Sequence, residues 1–277
     1  MVYYQYAIAV APEWRDILLA YLSETEFDSF EETEKGLHAF LPASADQPAV
    51  EEALSSLQQN YPFHYVVKRL PQRNWNAVWE ANFKPIRVGD FCGVRADFHP
   101  PVRGVKYELI INPQMAFGTG HHETTFMMIQ LMQQMECREA RVLDYGSGTG
   151  ILAILAAKMG ARRVEAIDIE TAAFENTIEN AELNGVASQV KAVHGNLENS
   201  ASKRYDIILA NINRNVILAS LPALYEKLSV TGKLLISGIL KTDEALVAAE
   251  ARSLGFHLQE RTYKGEWCSF RFSGGRE

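Results

Sequence analysis

Cysteine is scarce and scattered. Cys92, Cys137 and Cys268 are the only three in 277 residues, and no C-x-x-C pair occurs. That excludes a disulfide framework and a thiolate zinc site, and it fits a reducing, cytoplasmic compartment. No apolar run approaches the roughly 20 residues that a membrane-spanning helix needs. The first residues carry no basic stretch ahead of an apolar one, so they do not read as a signal peptide. His122-Glu123 is not a metal motif, because an H-E-x-x-H site would need histidine at position 126 and Phe126 stands there. Positive charge is not in excess either. Lys and Arg number 27 against 34 Asp and Glu, a net charge of −7. That balance disfavours direct binding of nucleic acid.

The negative excess has a place. Residues 1–70 carry 11 acidic and 4 basic residues, and the remaining 207 are balanced. Glu24, Glu26, Asp28, Glu31, Glu32 and Glu34 crowd eleven positions. Such a run is either a solvated face or a surface that attracts a basic protein. The same 70 residues read strand, helix, hairpin, helix, strand: 2–10, 12–22, 27–33 with 37–41, 48–59 and 63–70. That order is the split βαβ, ferredoxin-like arrangement. Pro71 ends it, and Trp75, Trp79 and Phe83, four apart, predict a linker helix over 71–84. A second domain is expected over 85–277.

That domain is organised around Arg141–Gly150, RVLDYGSGTG. Two β-formers and Asp144 close a strand, Gly146, Gly148 and Gly150 follow at spacing two, and a helix-forming run begins at Ile151. Strand, glycine turn and helix form the ligand-approach unit of doubly wound α/β folds. Asp168 follows Gly148 by 20 residues at the end of a second strand, where an acid grips ribose hydroxyls. Further strands at 189–194 and 205–210 put Asn196 and Asn211 at carboxyl ends, the ligand side of an open sheet. The pattern closes on a hairpin, 256–263 with 266–272, which departs from the dinucleotide fold and matches a seven-stranded methyltransferase sheet. The glycine-rich stretch Asn112–Met132, just ahead of the organising strand, stands where it would close over a ligand held at Gly146. Met128, Met132 and Met135 behind it belong to the core.

LDYGSGTGILAI and AIDIE resemble the class I S-adenosylmethionine-dependent methyltransferases. AFGTGHHETT, the preceding W-x-x-x-W-x-x-x-F and DIILANI are similar to the ribosomal protein L11 methyltransferases within that class, over nearly the whole chain. The resemblance implies S-adenosyl-L-methionine as cofactor, with Thr125, Gly146, Asp168 and Asn211 at cofactor-contact positions and Phe117 packing on the ligand. Gly148 and Asn196 join them by place in the fold. It also implies methylation of the N-terminal amine and lysines of a basic ribosomal protein that the N-terminal domain captures. Two departures stand out: Glu123 replaces the family's usual Pro, and Asn211-Ile212-Asn213-Arg214 replaces a leucine-containing N-I-L. Asn211 is the candidate for orienting the acceptor amine. No dedicated base stands out, and His121 and His122 read as shaping the loop. A methyltransferase of another protein or a small molecule, and a non-catalytic cofactor-binding module of ribosome assembly, remain alternatives.

Overall fold

The computed structural model describes residues 3–22, 25–33, 35–70, 84–112, 123–202 and 204–275. The chain divides into two compact units, Met1–Phe83 and Lys84–Glu277. The expected linker helix over 71–84 lies, but for its last residue, outside the described residues.

In the first unit, alternation along β1 (Tyr3–Val10) turns Tyr6, Ile8 and Val10 inward. α1 (Pro12–Leu22), β2 (Ser29–Thr33), β3 (Gly36–Pro42), α2 (Gln47–Gln58) and β4 (Phe63–Leu70) follow. The strands pair antiparallel in the order β2-β3-β1-β4, the split βαβ topology. Tyr6, Ile8, Leu18, Leu22, Leu37, Leu41 and Leu54 form the core. Gly36 sits at φ 146°, where a Cβ would run into the Ile8 carbonyl, so this hairpin requires glycine. α2 starts at Gln47 because the Asp46 carboxylate accepts from the Ala49 N–H at 3.3 Å and Pro48 fits the first turn.

The second unit opens with a three-stranded sheet: β5 (Ile86–Val88), β6 (Cys92–Arg95) and β7 (Tyr107–Ile110). α3 (Glu123–Gln133) leads into β8 (Arg141–Tyr145), α4 (Ile151–Lys158), β9 (Arg163–Asp168), α5 (Thr171–Leu183), β10 (Val190–His194) and β11 (Tyr205–Asn211). Then come α6 (Arg214–Lys227), β12 (Leu228–Leu240), α7 (Glu244–Ser253), β13 (His257–Lys264) and β14 (Trp267–Ser273). The seven-stranded order is β10-β9-β8-β11-β12-β14-β13. Strands β8 to β12 run parallel, and β14 is antiparallel to both neighbours. The central strands read as continuous apolar runs because both faces are covered. Val142, Ile207 and Leu209 face one core, while Leu143, Ile208 and Ala210 face the other. The chain reverses its direction of travel across the sheet between β8 and β11, which opens a crevice at their carboxyl ends. Among the described residues no helix is long and apolar enough to cross a membrane, and no cluster of His, Cys, Asp and Glu could hold a metal.

α6 begins at Arg214 because the Asn213 side chain caps it by accepting from the Val216 N–H at 3.0 Å. β12 begins at Leu228, which is buried and pairs with Tyr205 before a register shift. A 3-10 turn, Lys241–Asp243, precedes α7.

Candidate active site

The glycine turn is held from behind and left open in front. Gly146, Gly148 and Gly150 lie at φ 74°, 55° and 77°. A Cβ on Gly146 would collide with the Ile212 side chain. The Gly146 and Ser147 N–H groups both donate to the Ile167 carbonyl, at 2.8 and 3.1 Å, tying the turn to β9. On the far side, the Thr177 hydroxyl donates to the Gly148 carbonyl at 3.0 Å, and the Asn180 amide donates to the Thr149 carbonyl at 2.9 Å. Asp168 is braced across the turn. Its carboxylate accepts from the Gly148 N–H at 2.9 Å and from the Glu170 N–H at 3.0 Å. A carboxylate offers about four lone-pair sites, so two remain for a ligand. Beneath them Asp144 is buried and accepts from the Ala153 N–H at 3.0 Å. Burial pushes its carboxyl up to about 7, the Ala153 bond opposes that rise, and the nearby Asp168 charge adds to it.

A cleft of about 650 Å³ opens above these strand ends. In strand order its wall runs from Asp168 on β9, through Tyr145 and Gly146 at β8 and Asn211 on β11, to Gly238 on β12 and Trp267 on β14. Ile169, Ala172 and Ala173, which follow Asp168 in the chain, also line it, as do Ile212, packed between Gly146 and Gly238, and Val216 on α6. Asn211 stands between the two ends and is nine-tenths buried. Its Nδ2 donates to the Thr125 hydroxyl at 3.2 Å, while its buried Oδ1 has no hydrogen-bond partner among the described residues. A buried acceptor left unmade costs about 1–3 kcal/mol.

A family profile described as "Ribosomal protein L11 methyltransferase (PrmA)" matches residues 12–274. Ribosomal protein L11 methyltransferase of Porphyromonas gingivalis is 42% identical over 264 residues, covering 93% of this chain and 90% of that one. The enzyme of the same name in Phocaeicola vulgatus is 38% identical over 264 residues, covering 93% and 92%. The chain belongs to the ribosomal protein L11 methyltransferase family. A crystal structure of ribosomal protein L11 methylase from Lactobacillus delbrueckii subsp. bulgaricus superposes with TM-score 0.64 at 26% identity, over 69% of this chain and 99% of that one.

Of the residues expected at the cofactor, Gly146, Gly148, Asp168 and Asn211 all reach the cleft wall. Thr125 does not. It is fully buried behind Asn211 and receives that residue's amide hydrogen, while Thr124 lines the cleft. Asn196 does not reach the wall either. Its Oδ1 accepts from the Glu198 N–H at 2.9 Å and its N–H donates to the Asn199 side chain at 2.9 Å, a capping box on a 3-10 turn. Phe117, His121 and His122 lie outside the described residues. Asn213 and Arg214, the departures from the family pattern, have structural work: one caps α6 and the other ion-pairs with Asp243 at 2.8 Å. Tyr145, Ile212, Val216 and Trp267 were not singled out from the sequence, because apolar wall residues look like core until the strands are ordered.

Proposed function

We propose that this chain transfers methyl groups from S-adenosyl-L-methionine to amino groups of ribosomal protein L11, both the N-terminal amine and lysines. The observation that carries the reading is the unpartnered, buried Asn211 Oδ1 beside the glycine turn. The residues present suit this cofactor. Asp168 has lone pairs left for two ribose hydroxyls, and Gly146 has no side chain to fill the shelf beside Ile212. When bound, the cofactor supplies an electrophilic methyl group on a sulfonium.

Positioning and desolvation are what the chain itself contributes. Thr125 fixes the Asn211 side chain by accepting from its Nδ2, which leaves Oδ1 as the unpaired half of the amide. Asn211 Oδ1 accepts a hydrogen from the incoming amine and orients its lone pair. Trp267 and Val216 form the apolar acceptor side, since Asp168 claims the other end of the strand order, while Ile212 packs against Gly146 between them. A lysine must be neutral to attack, at a cost of roughly 5 kcal/mol at neutral pH from a reference pKa of about 10.4. An apolar, water-poor mouth lowers that cost. Holding acceptor and donor in line supplies roughly 7–11 kcal/mol in favourable cases. The acidic first unit draws in the basic substrate.

Incubation with methyl-labelled S-adenosyl-L-methionine and unmethylated L11 tests the reading. Label is expected on L11 amino groups, located by mass spectrometry; an unlabelled L11 with active cofactor binding would sink the substrate assignment. Asp168→Ala is expected to weaken cofactor binding more than about tenfold, the scale of 1.4 kcal/mol. Calorimetry returning wild-type affinity would remove the assignment of this acid.

A further inference from the structure

Asn176 and Asn180 on α5 and Asn184 at its C-cap stand four residues apart, and their side chains take the place of a further β-strand beside β7. Asn184 Oδ1 accepts from the Ile110 N–H at 3.0 Å, and its Nδ2 donates to the Ile110 carbonyl at 2.6 Å. Asn180 Oδ1 accepts from the Asn112 N–H at 2.9 Å. Asn176 Nδ2 donates to the Asn112 carbonyl at 2.8 Å. The fit is dimensional. Four residues of helix rise about 6 Å, and two residues of strand about 6.6 Å. The step from Asn184 to Asn180 therefore matches the step from Ile110 to Asn112, and Asn176, one turn further, takes the Asn112 carbonyl. On their other side, Leu109 pairs with Val94, and the Ile111 N–H bonds the Arg95 carbonyl at 2.8 Å.

Asn180 differs from the other two in what its second half does. Asn184 spends both halves on Ile110, with an added bond from Nδ2 to the Asn180 carbonyl within the helix. Asn180 is fully buried and splits its amide, with Oδ1 to the Asn112 N–H and Nδ2 to the Thr149 carbonyl in the glycine turn. We propose that Asn180 is a positioning residue for the cofactor, clamping the glycine turn to the segment Ile110–Asn112 through one side chain. The inference rests on the cofactor reading above. Its physical content is that a carbonyl held behind the turn keeps the neighbouring backbone at the positive φ angles that leave its front face open to a ligand. Thr177 does the same for the Gly148 carbonyl, so the α5 face sets the turn from two adjacent points.

The test uses the full chain and S-adenosyl-L-methionine as probe in calorimetry. Asn180→Ala is expected to weaken binding about tenfold, with the L11 concentration for half-maximal rate unchanged at saturating cofactor. Asn184→Ala, which cuts the same column without touching the turn, is expected to lower thermal stability but keep affinity within about twofold. Asn180→Asp keeps the acceptor for the Asn112 N–H and replaces the donor to Thr149 by an oxygen. It is expected to retain protection of the Asn112 amide in hydrogen exchange of the ligand-free protein while losing cofactor affinity. Wild-type affinity in both Asn180 variants overturns the inference alone, as does an equal loss in Asn184→Ala. A wild-type chain that does not bind the probe overturns the cofactor reading and this inference together.

Discussion

Asp144 carries a carboxyl with almost no exposed surface, a single backbone donor, and another acid nearby. Its raised pKa, about 7, makes a statement about stability. The protonated form is favoured in the folded chain, so the stability linked to it is complete below the unfolded value near 4 and is lost as pH rises through about 7. Between about pH 5 and about pH 8 the ligand-free protein is expected to lose roughly 3 kcal/mol through this group. Asp144→Asn keeps the shape and the acceptor for the Ala153 N–H but does not titrate. Urea unfolding across that range is expected to show a flatter profile for the variant, and parallel profiles would contradict it. The cysteines have no comparable part. All three are buried and free, and burial pushes their thiols up to about 11 or 12, out of reach of thiolate chemistry.

At the scale of elements, local signals were legible and long-range ones were not. The glycine spacing, Asp168 and the strand end at Asn211 could be read because each lies within one strand–turn–helix unit. Asn196, read as a ligand-side strand end, caps a 3-10 turn instead of lining the cleft, since an asparagine after a strand serves equally well as a cap. The hydroxyl of Thr125 meets Asn211 across 86 residues of chain, and Asn180 meets Asn112 across 68; no periodicity carries such pairs. Trp267 reaches the cleft only because β14 inserts between β12 and β13. Asn213 was within reach as a cap signal three residues ahead of Val216. Asn213→Ala is expected to cost about 1 kcal/mol of stability, seen as a lowered unfolding midpoint, with cofactor affinity kept. A large loss of affinity would mean that Asn213 also meets the ligand from its place on the cleft wall.

For the whole molecule, the order of elements carried most of the architecture. Strand–helix alternation with a terminal hairpin led to the seven-stranded sheet, and the βαββαβ order to the first unit. Charge separates the two units as well: the net −7 of the chain resides within residues 1–70. A chain lacking residues 1–70 is expected to bind S-adenosyl-L-methionine with wild-type affinity but to lose methylation of intact L11. If those residues act by electrostatic attraction, the gap between the full and shortened chains should narrow at high salt, which screens the attraction in the full chain. Full activity of the shortened chain would remove the capture role.

The asparagine column on α5 also decides what the protein will not stick to. β7 is the outer strand of its sheet, reading Tyr-Glu-Leu-Ile and running on into Ile111 and Asn112. Left bare, the outward N–H and C=O groups of Ile110 and Asn112 would template a strand from another molecule. Side-chain amides already occupy them. A helix cannot be extended sideways as a sheet can, so the chain has exchanged an adhesive edge for a sealed one.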